Sequence, residues 1–333
     1  MNKMQNRSLE KYVNTYFGEL LKREDVTEIC YNGDTYLFVL NNKGEWEKHD
    51  TNFSLQSVQA LATAVSSSRD TEIKASKPIL SATLNNKERV QIVRSPATSN
   101  DIVSITIRKP NTFKISMESY EEQKLFELAK STQIKEDPLL PLYEKKDFKS
   151  FIELAVLLGK TIIIAGATGS GKTTFMKTLM DYIPKEERII TIEDVEELVF
   201  TEHENFVQLF YPSEAKSDSA LNATTLLKSC LRMKPDRILL AELRGGETFD
   251  FINIINSGHS GSITSCHAGS VEETFRRLEL MMLQNESGQK IPFPVIQETL
   301  RNTIDIVMHL ADTKDGRRIT SVYYKNAKKG NIK

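Results

Sequence analysis

Apolar and polar positions alternate along this chain with two distinct periods. Leu9, Val13, Tyr16, Phe17, Leu20 and Leu21 fall on one face at helical spacing, which predicts a helix over residues 9–21. Short β-rich runs follow over residues 26–50, separated by the turn sequences NGD and NNKG, and read as a hairpin or meander. Helical spacing returns at residues 55–65. Strand-like runs then occupy 79–84, 89–93 and 102–107, joined by the turn sequences NNKE and TSND. These elements predict a small α+β unit over residues 1–108. A polar, proline-bearing stretch at 109–119 reads as a linker.

From residue 120 the pattern changes to alternating helix and strand, as parallel α/β sheets require. Helices are expected at 120–131, 148–158, 224–233 and 248–256, and strands at 162–165, 188–192, 207–210, 237–241 and 262–266. The fold class is therefore α/β, with residues 120–333 forming the larger domain. Within it, Ile162, Ile163, Ile164 and Ala165 make an uninterrupted apolar run, the mark of a strand buried on both faces. That strand empties into GATGSGKTT at 166–174, and a helical pattern carrying Phe175, Leu179, Tyr182 and Ile183 continues until Pro184 stops it.

Strand, glycine loop and helix in that order fit the GxxxxGK[ST] phosphate-binding loop. Glycines let backbone N–H groups converge on an anion, and the helix adds unpaired amides and its positive dipole end. Gly166, Ala167, Thr168, Gly169, Ser170, Gly171 and Thr174 would cradle the phosphates of a nucleotide. Lys172 would meet the outer phosphates, and the Thr173 hydroxyl would hold Mg²⁺.

Composition changes this picture little. The chain has 333 residues, enough for two domains, and 44 basic against 45 acidic side chains give no global attraction to nucleic acid or an anionic membrane. Cys30, Cys230 and Cys266 are odd in number and far apart, which fits a reducing compartment. The first residues lack the apolar core of a signal peptide, and the longest uncharged stretch, 251–271, is too rich in serine, glycine and histidine for lipid. The expected location is cytoplasmic. The basic tail KNAKKGNIK reads as a disordered end or a weak membrane contact.

Two later strands end in acids, at the edge where open α/β sheets bind ligands. IITIEDVEE supplies Glu193, Asp194, Glu196 and Glu197, and RILLAEL supplies Glu242. Carboxylates there order a metal shell and orient or deprotonate an attacking water. The competing reading, that acids merely cap strand ends, stays open for Glu197. His259 and His267 bracket the next small-residue strand, where a histidine can donate to a γ-phosphate oxygen. Arg94, Arg108, Arg232, Arg244, Arg276 and Arg277 are candidates for the arginine that phosphoryl transfer gains from, in the same or a neighbouring subunit.

Taken together, the chain resembles the traffic ATPases of bacterial type IV secretion systems, within the type II/type IV secretion NTPase superfamily. Four stretches carry the resemblance: GATGSGKTT at 166–174 (Walker A), IITIEDVEEL at 189–198 (Asp box), LRMKPDRILLAELRG at 231–245 (Walker B region) and GHSGSITSCHAGS at 258–270 (His box). Stretches 26–33 and 78–93 also look like the family's amino domain. Ala241 departs from the glycine usual before the Walker B glutamate, and the cysteine clusters of many type II and pilus relatives are absent.

The resemblance implies a RecA-like P-loop domain preceded by the smaller α+β domain, acting as a homohexameric ring peripheral to the inner membrane. It implies ATP and Mg²⁺ as ligands, secretion-channel components and other secretion ATPases as partners, and no sequence-specific nucleic-acid binding. By the same resemblance Glu196 and Glu242 serve water and metal, and His267 serves the γ-phosphate. Glu193 joins the catalytic set, and Arg232 and Arg108 the nucleotide-binding set. Pilus assembly or retraction, type II secretion, a RecA-like nucleic-acid motor, a GTPase switch and a non-catalytic scaffold are the alternatives. No NKxD guanine-reading sequence follows the phosphate loop.

Overall fold

The computed structural model describes residues 3–110, 116–127, 136–214 and 219–327, with side chains described from residue 8 onward. Residues 111–115 of the expected linker and 328–333 of the basic tail thus lie outside the described residues. The helix expected at 120–131 is represented by α3, Met117–Glu122, and residues 128–131 are likewise outside them.

Two sheets organise the chain. The first has six antiparallel strands: β1 (Val26–Tyr31), β2 (Tyr36–Asn41), β3 (Trp46–Asp50), β4 (Ile79–Thr83), β5 (Arg89–Arg94) and β6 (Val103–Arg108), in the order β3-β2-β1-β6-β5-β4. Helices α1 (Lys3–Lys22) and α2 (Leu55–Ser67) bring Leu9, Phe17, Val58, Leu61 and Val65 onto a core shared with Ile29, Val39, Ile92 and Ile105. The Ser54 hydroxyl starts α2 by accepting the Ser57 N–H at 3.2 Å, the contact expected of a serine N-cap.

The second sheet has seven strands: β7 (Ile162–Gly166), β8 (Ile189–Glu193), β9 (Phe206–Phe210), β10 (Arg237–Leu243), β11 (Ile263–Cys266), β12 (Ile306–Thr313) and β13 (Gly316–Tyr324). Their order is β13-β12-β7-β11-β10-β8-β9, all parallel except the edge strand β13. Period-two alternation splits their side chains between two cores. Ile163, Ala165, Ile190, Ile192, Ile238 and Leu240 face α7 (Ala223–Cys230), α8 (Glu247–Asn256), α9 (Val271–Met282) and α10 (Phe293–Thr303). Ile162, Ile164, Ile189, Leu239, Ile306 and Met308 face α4 (Leu140–Glu144), α5 (Phe148–Leu157) and α6 (Lys172–Met180). Burial on both faces explains why these strands read as continuous apolar runs.

Polar contacts tie the two sheets together. Arg188 is fully buried, and its Nη1 donates to Asn32 Oδ1 at 2.7 Å and to Asn205 Oδ1, while its Nε donates to Met233 O at 2.9 Å. Gln91 Nε2 donates to Ser229 Oγ at 2.8 Å.

Glu28 lies on β1, its side chain only 6% exposed, with the Arg108 guanidinium 3.4 Å away. Burial pushes its carboxyl up to about 7, against the pull of Arg108, Lys234 and Arg188. A raised folded-state pKa means the stabilising protonated form is complete below the unfolded value and is lost as pH rises through about 7. The stability of wild type relative to Glu28→Gln should therefore fall by about 2–3 kcal/mol between about pH 5 and about pH 8, at 1.36 kcal/mol per unit. Urea unfolding of both proteins across that window checks it; parallel pH profiles would contradict it.

Candidate active site

The phosphate loop joins β7 to α6 at the carboxyl edge of the second sheet. All three of its glycines are required by geometry, Gly169 by a φ of +78°. A Cβ on Gly166 would strike the Leu310 carbonyl of the neighbouring β12 and the Ser170 hydroxyl, and Gly171 has φ +95°, in the left-handed region that favours glycine. The close approach follows from register, because Leu310 pairs directly with Gly166.

Lys172 opens α6 and is 8% exposed. Its ammonium donates to Gly166 O at 2.9 Å and Ala167 O at 3.0 Å, and stands 3.3 Å from His267 Nδ1. Burial holds it below the usual lysine range, and the nearby Glu242 carboxylate works in the opposite direction. The other ring nitrogen, His267 Nε2, lies 3.1 Å from Glu242 Oε1. Since an ammonium can only donate, the neutral Nε2–H tautomer of His267 satisfies both contacts at once. Lys172, His267 and Glu242 thus form one chain of polar contacts linking the ends of β7, β11 and β10.

A local irregularity aims Glu242. β10 pairs regularly with β11 at Leu239–Ile263 and Leu240–Thr264, then resumes at Leu243–Cys266, so one extra residue is accommodated at 241–242. Ala241 sits in this bulge, where its carbonyl accepts the Ser265 hydroxyl at 2.7 Å. Arg244 supports the same carboxylate: its Nη2 donates to Glu242 Oε2 at 3.0 Å and its Nη1 pairs with Asp194.

Lys172, Thr173, Gly169, Gly171 and Thr174 line an open cleft of about 540 Å³, together with Lys177, Glu196, Glu197, Val199 and Arg317. The cleft thus unites the loop with the acidic loop after β8. Glu193 is not among its lining residues. The side chain is fully buried, and its oxygens accept the Thr191 hydroxyl at 2.6 Å and the N–H groups of Glu197 and Leu198, both at 2.8 Å. Burial raises its pKa against those hydrogen bonds. These contacts fix the loop that carries Glu196, which is a positioning geometry.

Two further expectations meet a different arrangement. Arg108 and Arg232 are not at the phosphate loop; they line a separate cleft with Arg89, Gln91 and Ser81, because β6 and the end of α7 meet between the sheets. His259 lies beyond the opposite end of β11 from His267, near Lys234 and Asp236, and burial lowers its pKa. Cys266 is buried and its thiol is pushed up to about 11, so it packs rather than reacts. Arg317 and Lys177 went unnoticed in the sequence, since neither belongs to a recognisable motif.

A family model described as type II/IV secretion system protein matches residues 140–326. The type IV secretion system protein VirB11 of Brucella abortus is 48% identical over 309 residues, covering 90% of this chain and 85% of that protein. The chain belongs to the type II/IV secretion system family, as a traffic ATPase of the type IV branch. Type IV secretion system protein PtlH of Bordetella pertussis is 40% identical over 92% of each chain. The crystal structure of the VirB11 ATPase of the Brucella suis type IV secretion system, in complex with sulphate, superposes with a TM-score of 0.90 at 44% identity, covering 96% of this chain and 95% of that one. The traffic ATPase uses nucleotide. Among its described residues, no helix is long and apolar enough to cross a membrane.

Proposed function

We propose that this chain is the hexameric ATP-driven motor of a type IV secretion, conjugation or DNA-uptake apparatus, peripheral to the cytoplasmic face of the inner membrane. Residues 1–108 and 120–333 act as two domains joined by 109–119, and hydrolysis changes their relation. Secretion-channel components and other secretion ATPases are its partners.

The observation that carries the catalytic reading is the contact chain Lys172–His267–Glu242 at the strand ends. Lys172, displaced from the two loop carbonyls by incoming phosphate, pairs with the β- and γ-phosphates. Glu242 holds and deprotonates the attacking water, and Arg244 keeps that carboxylate oriented. His267, released from Lys172, takes a proton on Nδ1 from solvent and donates it to a γ-phosphate oxygen, while its Nε2–H still faces Glu242. Arg108 and Arg232 act on nucleotide held by a neighbouring subunit. The donor set fits Mg²⁺: the Thr173 hydroxyl makes no hydrogen bond among the described residues and shares the cleft with Glu196. Thr173, with Glu196 and Glu242 beyond it, would hold the ion, which when bound neutralises charge on the transferring phosphoryl group.

Phosphate release by the purified chain tests this reading. The expected result is ATP hydrolysis that added DNA leaves unchanged. Stimulation by DNA that disappears with salt would contradict it in favour of a nucleic-acid motor.

A further inference from the structure

Arg317 lies far from every motif in the sequence, yet it lines the phosphate cleft. It stands on β13, the antiparallel edge strand, directly after the tight turn that closes the β12–β13 hairpin at Thr313 and Gly316. The side chain lies flat over the loop: a Cβ on Gly171 would meet Arg317 Cδ at 3.0 Å and its Nε at 3.4 Å. Among the described residues its guanidinium has no carboxylate partner and no hydrogen bond, although Glu196 and Glu197 line the same cleft. An exposed guanidinium lying against a phosphate loop presents a planar donor fork to an anion bound there.

Sheet order decides which part of the nucleotide it meets. The phosphate loop follows β7, and Glu242 at the end of β10 and His267 just after β11 lie on one side of that strand. β12 and β13 lie on the other side. The hydrolytic groups therefore flank the loop from one direction and Arg317 from the opposite one. Thr174 and Lys177, further along α6, line the same cleft as Arg317. We infer that Arg317 is a nucleotide-binding residue that pairs with the inner phosphates, the part common to ATP and ADP, and so tethers the C-terminal hairpin to bound nucleotide in both states. The inference rests on the reading that nucleotide occupies the phosphate loop.

Equilibrium titration of a fluorescent ADP and a fluorescent, non-hydrolysable ATP analogue into the full chain separates the two. Loss of one charge-assisted phosphate contact should weaken both nucleotides about tenfold in Arg317→Ala, with Arg317→Lys restoring part of the loss. Lys314→Ala removes the same charge from the hairpin outside the cleft and should leave affinity unchanged. Unaltered ADP affinity in Arg317→Ala, weakening of the ATP analogue alone, or an equal loss in Lys314→Ala would each overturn the inference. Failure of the wild-type chain to bind either nucleotide, or unchanged binding in Lys172→Ala, would instead overturn the underlying site assignment.

Discussion

Replacing Lys172 with alanine is expected to lower ATP turnover about a thousandfold, or ~4 kcal/mol of transition-state stabilisation, while the protein folds normally. The ammonium is the one cation buried within the loop, and burial already disfavours its charge. Phosphate offers the charge partner that the carbonyls of Gly166 and Ala167 supply only in part. Stability should change little, because truncation also removes the need to bury that charge. Phosphate release and thermal unfolding measured on the same preparation check both halves. Turnover within tenfold of wild type would remove Lys172 from the chemistry.

The second large effect belongs to Glu242. Glu242→Gln keeps the shape and one acceptor oxygen for Arg244 but removes the base, so turnover should fall about a thousandfold, within the usual range for a general base. Nucleotide affinity should hold, since Lys172 and the loop amides are intact. Arg244 retains Asp194 as its other partner, which limits any collapse of the bulge. Normal turnover in this variant would move the base to Glu196, an exposed acid lining the phosphate-loop cleft.

Much of this site was legible in the chain before any coordinates. The run 162–165 and the glycines after it specify strand, loop and helix because local sterics and burial on both faces leave few alternatives. Glu242 was legible because an apolar run delivered it to a strand end. What the sequence hid depends on pairing between distant strands. Glu193 and Glu196 stand three apart in one acidic stretch, and only the fold reveals that one oxygen of the first accepts two loop N–H groups and the other the Thr191 hydroxyl, while the second borders the cleft. The bulge at 241–242 appears only when β11 is laid beside β10.

Arg317 is the extreme case. Nothing in GRRITSVYY distinguishes it from Arg318, and the pattern beyond residue 266 predicts no element there. Its position follows from β12 pairing with β7, a contact between residues more than a hundred positions apart that brings the hairpin against Gly166 and Gly171. Arg108 and Arg232 show the converse. The family resemblance groups them with the nucleotide, and in this chain β6 and the end of α7 carry them into a separate cleft between the sheets.

The claim on which the mechanism depends is that His267 and Glu242 act as one unit, the imidazole Nε2 lying 3.1 Å from the carboxylate. A double-mutant cycle on ATP turnover with His267→Ala and Glu242→Gln tests it most directly. Groups that act together lose their effect together, so the double variant should turn over no slower than Glu242→Gln alone. A double variant slower by the full product of the two single losses would show independent action and contradict the account.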